Sequence, residues 1–449
     1  MNTVTKRAYV LLAIILAFIA GVAILGAEFF LEGETWATSR VNGHLYSGNE
    51  VKIAGKILDR NGVVLAETEG SKRVFNSDKT VRMATLHTVG DTYGYISSGA
   101  HTVCRDMLTG YSFVDGIYTL INTGEGNDIS LTIDADLCAE AYNALGGKKG
   151  AIGVYNYKTG EIVCMVSAPT YDPENKPDDM DSKDEYEAVY MNRFLNGLFT
   201  PGSTFKTVTT VAAIENLSDI QNREFNCTGE LGTAQGGKII CNKTHGKIGF
   251  GTAFTKSCNS AYAEMGIAMG ADTLESTASS MGFGRSFNVS GVNTAKSRFS
   301  LDGAVEIDIG WASKGQYTTL VNPLHLMMVA GSVASDGSTP VPYFVVDKKR
   351  EEVTEQLIKK STASQVKTMM RNNVINNYGD ALFPDMSFGG KTGTAQVAGE
   401  ASHAWFMGFS GDENFPYAIV VLVENGGGGS DVAVPIASKV MKELKNSLE

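Results

Sequence analysis

The segment FTPGSTFKTV, residues 199–208, sets Ser203 three positions ahead of Lys206 directly after a Pro-Gly break. Phe205, Val208 and the pair Val211/Ala212 make an apolar stripe at helical spacing, so the periodicity predicts a helix with Ser203 at its N-terminus and Lys206 one turn on. A lysine stripped of water and set near another cation gives up its proton near neutral pH and can then take the serine's proton during attack. The helix start adds free N–H groups suited to a developing oxyanion. The competing reading is a serine cap with a solvated lysine. Ser364 and Lys367 repeat the spacing inside an amphipathic stretch with no Pro-Gly break, so spacing alone does not choose.

Two further pieces follow in order. Ser257-Cys258-Asn259 falls beside a helical stretch, and Lys391-Thr392-Gly393 opens a strand-like run after Gly389-Gly390, with Thr394 as a second hydroxyl. Both have decoys: Ser47-Gly48-Asn49 and Ser286-Phe287-Asn288 copy the first, and Lys158-Thr159-Gly160, which reads as a hairpin turn, copies the second. Other enzyme classes lack their parts. Asp385 stands where a phosphate-binding loop ending at Lys391 needs glycine, and the chain has neither a Gly-x-Ser-x-Gly elbow nor a His-Glu-x-x-His pair.

These pieces need a frame. Two strand-like runs after Gly146-Gly147, helical periodicity from Ser203 to about Gly282, then MSFGGKTGTAQ, HAWFMGFSG and YAIVVLVEN before an amphipathic terminal helix predict an α+β unit, an antiparallel sheet covered by helices. Residues 32–128 read as a polar, strand-rich spacer with a turn at Asn61-Gly62. Asp134 is a candidate helix cap. Upstream, residues 8–27 carry no charge and are long enough to span a bilayer. Lys6 and Arg7 precede them and Glu28, Glu32 and Glu34 follow, which predicts a cytoplasmic N-terminus and a catalytic unit outside. The division expected is 1–31 tip and anchor, 32–148 spacer, 149–449 catalytic domain.

The formal charge of −11 and the lack of a basic cluster argue against a nucleic-acid partner. Six cysteines in 449 residues make no disulfide framework, although Cys227 and Cys241 could bridge to close a short loop. With His245 they suggest metal ligands, yet no fourth ligand follows at a useful spacing, so neither a metal nor a cofactor is expected.

Taken together, the anchor, GKILDRNGVVLAET, APTYDP, NRFLNGLFTPGSTFKTVTT, KSCNSAYAEMG, GGKTGTAQ and HAWFMGF resemble the class B penicillin-binding proteins, whose motif set is Ser-x-x-Lys, Ser-x-Asn and Lys-Thr-Gly. The short spacer is similar to that of the smaller elongation- or division-type members. The resemblance implies the transpeptidase fold, a five-stranded antiparallel sheet covered by helices, and a D,D-transpeptidase that cross-links peptidoglycan stem peptides. Ser203 would attack the carbonyl between two terminal D-alanines, with Lys206 as base. Ser257 would relay protons with Lys206 and Lys391, and Asn259 would hold the substrate amide. Lys391, Thr392, Gly393 and Thr394 would hold the terminal carboxylate, the N–H groups of Ser203 and Thr394 would form the oxyanion hole, and Gly315 and Gln316 would form the rim. Cys258 would be a packed side chain and the Asp59–Gly62 turn a structural coupling. β-Lactams would acylate the serine, and a polytopic membrane glycosyltransferase would be the partner. A β-lactamase or sensor of the same fold, or an inert wall scaffold, are the rival readings. No Glu-x-x-Leu-Asn lies between Ser257 and Lys391 to supply a deacylating base.

Overall fold

The computed structural model describes residues 3–37, 46–47, 50–51, 54–70, 72–110, 126–234, 236–346, 348 and 354–448. Gly48 and Asn49, two residues of one decoy, lie outside that set. The chain opens with α1 (Thr3–Ala37), and within Thr3–Gly33 an 18-residue window reaches mean hydropathy 2.9 with none of its residues buried against the rest of the protein. It is the one helix among the described residues long and apolar enough to cross a membrane.

The spacer is more mixed than its polarity suggests. Strands β1 (Ile57–Leu58), β2 (Val64–Glu69), β3 (Lys72–Phe75) and β4 (Ile129–Ser130) form a sheet in the order β3-β2-β1-β4. Beside them run four short helices, Lys79–Ala84, Leu86–Val89, Ala100–Val103 and Arg105–Thr109. Helices of four to six residues show too little periodicity to read, which is why strands alone were expected. The Asp59–Gly62 turn is structural: the Asp59 carboxylate accepts from the N–H groups of Asn61, Val63 and Ala135 at 2.8, 2.8 and 3.0 Å. It therefore pins the spacer to the start of α2 (Ala135–Leu145), which Asp134 caps as expected.

The catalytic unit is built on β5 (Gly150–Asn156), β6 (Ile162–Ala168), β7 (Gly389–Ala395), β8 (His403–Phe409) and β9 (Tyr417–Val423), an antiparallel sheet in the order β7-β8-β9-β5-β6. Every residue of β6, β8 and β9 is buried. Such unbroken apolar strands need cover on both faces. The wholly buried helix Pro323–Ala334 packs on β8 and β9, while α2 and the C-terminal helix Val434–Leu448 pack on each other and on the sheet. Between Ser203 and Gly282 the helical expectation is partly corrected. Helices Lys206–Asn216, Phe250–Thr255, Asn259–Met269 and Ala271–Ser280 form, but glycine-broken residues 224–249 make two small antiparallel hairpin pairs instead.

Candidate active site

The Pro-Gly break does specific work. Gly202 has φ +54°, and a Cβ there would stand 2.7 Å from Thr394 O, so a side chain at this position would drive the turn off strand β7. Residues Gly202–Phe205 form a 3-10 turn that runs into the helix Lys206–Asn216. Residues three apart eclipse in such a turn, which sets Ser203 and Lys206 on one line. The cap reading fails here: the Ser203 hydroxyl makes no hydrogen bond among the described residues and faces a cleft of about 910 Å³ shared with Ser257, Asn259, Lys391, Thr392 and Thr394.

Lys206 is fully buried. Its ammonium nitrogen Nζ donates to Ser257 O at 2.6 Å, Ser257 Oγ at 3.1 Å and Asn259 Oδ1 at 2.8 Å. From the other side Lys391 Nζ donates to the same Ser257 Oγ at 3.2 Å and to Thr392 O at 3.1 Å. Ser257 thus bridges two buried amines. It does so from the left-handed region, φ +50°, a conformation that costs a non-glycine residue about 1–2 kcal/mol and tends to mark a working site. Burial first, and then the Lys391 charge, hold the Lys206 pKa well below the usual lysine range. Burial pushes Lys391 down to about 7. Two amines whose pKa values burial depresses flank one hydroxyl, and depressed amines gathered in a cleft mark a candidate functional site.

Strand β7 is the sheet edge, so alternate backbone groups face outward. Thr392 N–H donates to Tyr378 Oη at 3.2 Å and Thr392 O accepts from Lys391, which marks 392 as an outward residue. Thr394 shares its parity and turns its N–H off the same edge, where Gly202 packs. Gln316 lines the cleft. Gly315 is instead buried behind the nucleophile's turn, its O accepting from Gly202 N at 2.9 Å. Gly393 is buried in the strand.

Several residues of the site escaped the sequence. Tyr378 holds Thr392 through both its N–H and its hydroxyl (2.8 Å), and Asn373 donates to Tyr378 Oη and to Gly390 O at 3.0 and 2.8 Å. Trp405 Nε1 donates to Thr200 O at 2.9 Å, and Arg193 pairs with Glu424 at 2.5 Å, tying the approach to the nucleophile onto the sheet. The readable signals were Asn-Arg-Phe-Leu-Asn just upstream of the serine and HAWFMGF, which carries Trp405. The decoys stand apart: Ser364 is exposed on the helix Lys360–Asn373, Lys158-Thr159-Gly160 turns the β5–β6 hairpin, and Ser286 and Asn288 flank a short two-stranded hairpin at the surface.

The possible bridge between Cys227 and Cys241 is not formed, and both are free thiols. The fourth ligand that spacing did not offer comes from Cys258, the middle of Ser-x-Asn. The donor atoms of Cys227, Cys241, His245 and Cys258 all lie within 4.8 Å of one another. Cys241 Sγ is 3.8 Å from Cys258 Sγ, and His245 Nδ1 is 3.5 Å from Cys227 Sγ and from Cys241 Sγ. Tetrahedral zinc, with bonds of about 2.3 Å to sulfur and about 2.0 Å to nitrogen, would set these edges at about 3.8 and 3.5 Å. These four residues could hold a zinc ion, and Asn259 N–H, donating to Cys241 Sγ at 3.2 Å, would link it to the motif.

With this geometry in hand, comparison with known proteins is consistent. The family model for the penicillin binding protein transpeptidase domain matches residues 150–442, well over half of the chain. Peptidoglycan D,D-transpeptidase PbpA of Mycolicibacterium smegmatis is 27% identical over 356 residues, covering 69% of this chain and 71% of the relative. Peptidoglycan D,D-transpeptidase MrdA of Haemophilus influenzae is 27% identical over 385 residues, covering 72% and 56%. The ceftriaxone acyl-enzyme complex of penicillin-binding protein A from Mycobacterium tuberculosis superposes with TM-score 0.76 at 22% identity, over 87% of this chain and 97% of that one. PBP2 of Pseudomonas aeruginosa in complex with WCK 5153 gives 0.74 at 25%, over 87% and 96%. Two buried lysines sharing one serine hydroxyl beside an open serine, on a five-stranded antiparallel sheet matched by that domain along most of its length, make this chain a member of the penicillin-binding protein transpeptidase family, of class B.

Proposed function

We infer that the protein is a peptidoglycan D,D-transpeptidase of bacterial cell-wall synthesis working through a serine acyl-enzyme. The observation that carries this reading is Ser257 Oγ, shared between the amines of Lys206 and Lys391 at 3.1 and 3.2 Å beside the Ser203 hydroxyl, which makes no hydrogen bond among the described residues. Neutral Lys206 takes the Ser203 proton as Oγ attacks the carbonyl of the penultimate D-alanine. The N–H groups of Ser203 and Thr394 receive the oxyanion. Protonated Lys206 returns a proton through Ser257 to the departing D-alanine amine, whose carboxylate Lys391, Thr392 and Thr394 hold, while Asn259 holds the donor amide. An amine from a neighbouring stem peptide then attacks the ester and frees the serine. β-Lactams acylate the same oxygen and leave no amine to depart.

Residues 1–31 anchor the protein in the cell membrane with the N-terminus cytoplasmic, residues 32–148 space it outward, and residues 149–449 cross-link. The charges flanking α1 support that orientation, and an anchored catalyst suits a partner that polymerises glycan in the membrane, a polytopic glycosyltransferase. Fluorescent penicillin should label the full-length protein in membranes, and Ser203→Ala should abolish labelling. A Ser203→Ala protein that labels as well as the wild type sinks the assignment, and rapid release of the label points to a β-lactamase instead.

A further inference from the structure

Lys314 is a cation that none of the three motifs uses. It ends the helix Glu306–Ser313 and is 7% exposed, yet its ammonium has no hydrogen bond or ion pair among the described residues. Its Nζ stands 3.5 Å from the centre of the Trp311 ring, and both side chains line the cleft that holds Ser203. Lysines 243, 256 and 391 line it too, with no aspartate or glutamate among the described lining residues, in a chain of net charge −11. A pocket lined by one sign of charge against the sign of the whole molecule selects a ligand of the opposite sign.

The position of Lys314 is set by backbone. Gly315 has φ +82°, and a Cβ there would stand 2.0 Å from Gly202 O. The nucleophile's turn is therefore clamped between Gly315 on one flank and Thr394 on the other. Lys391 and the threonines occupy the Thr394 flank, so Lys314 reaches the cleft from the opposite one. A lysine so deeply buried without a counter-ion is costly. Burial lowers its pKa to about 8, which still leaves it mostly charged at neutral pH.

We propose that Lys314, laid over the Trp311 ring, is a specificity residue that binds a second carboxylate of the peptide substrate, on the side of the scissile bond away from the terminal carboxylate. The preferred stem peptide then carries a free, unamidated acid in addition to its C-terminus. This rests on the transpeptidase reading above. Penicillins offer the probe, because their acyl side chain occupies the corresponding side of the reacting carbonyl.

The test compares second-order acylation rates of the full-length protein by benzylpenicillin and by the same penicillin with a carboxylate added to its side chain. The wild type should favour the dianion. Lys314→Met should lower the dianion-to-monoanion rate ratio by about tenfold, the scale of one charge-assisted hydrogen bond, and Lys314→Arg should restore it. A Met variant with the wild-type ratio overturns the proposal and leaves Lys314 as a side chain stacked on tryptophan. So does a wild-type ratio at or below one, which decides the matter even where the Met variant fails to fold. Loss of acylation by both penicillins in the wild type would instead overturn the transpeptidase reading, and this proposal with it. An effect of Lys314 on Lys206 alone would move both rates together and leave the ratio unchanged.

Discussion

Ser203–Lys206 and Ser364–Lys367 share a spacing and almost nothing else. The first lysine is wholly buried with three acceptors and a second amine across one hydroxyl. Lys367 is half-buried and donates once, to Ala334 O at 3.1 Å, while Ser364 is exposed. Water solvates one ammonium and is kept from the other. That difference in hydration, and not the three-residue interval, is what depresses the Lys206 pKa.

The sharpest way to break the comparison is to truncate both lysines. Lys206→Ala should lower the rate of penicillin acylation by about 10²–10⁴, the range for a lost general base, while Lys367→Ala should change it by less than about twofold. Similar losses in both would mean that Lys206 serves the fold alone. A smaller effect is set by pH. Because burial and the Lys391 charge hold Lys206 well below the usual lysine range, acylation should climb with pH as Lys206 loses its proton, by about tenfold per unit on the acid side of that titration. An acid-side plateau would contradict a neutral amine. Stability follows the same sign. Unfolded lysines keep their protons to about 10.4, so between about 7 and that value the unfolded chain binds more protons, and the contribution of Lys391 to stability grows as pH rises.

The smallest expected effect concerns a feature that only the first pair has nearby. Metal analysis of protein purified without chelator should find about one zinc per chain, and chelation should lower the melting temperature by several degrees with Cys258→Ser matching the stripped protein. Metal-free protein with an unmoved melting temperature would make Cys227, Cys241, His245 and Cys258 a packed cluster and nothing more.

Much of the frame was legible beforehand. The unbroken apolar runs of β8 and β9 imply a sheet covered on both faces, the Lys158-Thr159-Gly160 turn implies its hairpin, and a charge-free stretch near the start implies a membrane span. Residues 224–249 were misread because strands of only three or four residues are too short to show an alternating pattern. The spacer's helices hid for the same reason. At the site, each motif could be found but not chosen, since every one had a copy elsewhere in the chain. Tyr378 and Lys314 gave no local sign at all.

Sequence by itself determined which groups were available: a hydroxyl and an amine three residues apart, a glycine able to take positive φ before them, and strands apolar enough to need two covered faces. Tertiary structure alone decided that Ser257 lies between two amines and that Cys258 joins donors 13, 17 and 31 positions away. Local pattern is written by neighbours along the chain. Burial, and with it the protonation state of an amine, depends on what the rest of the molecule brings against it.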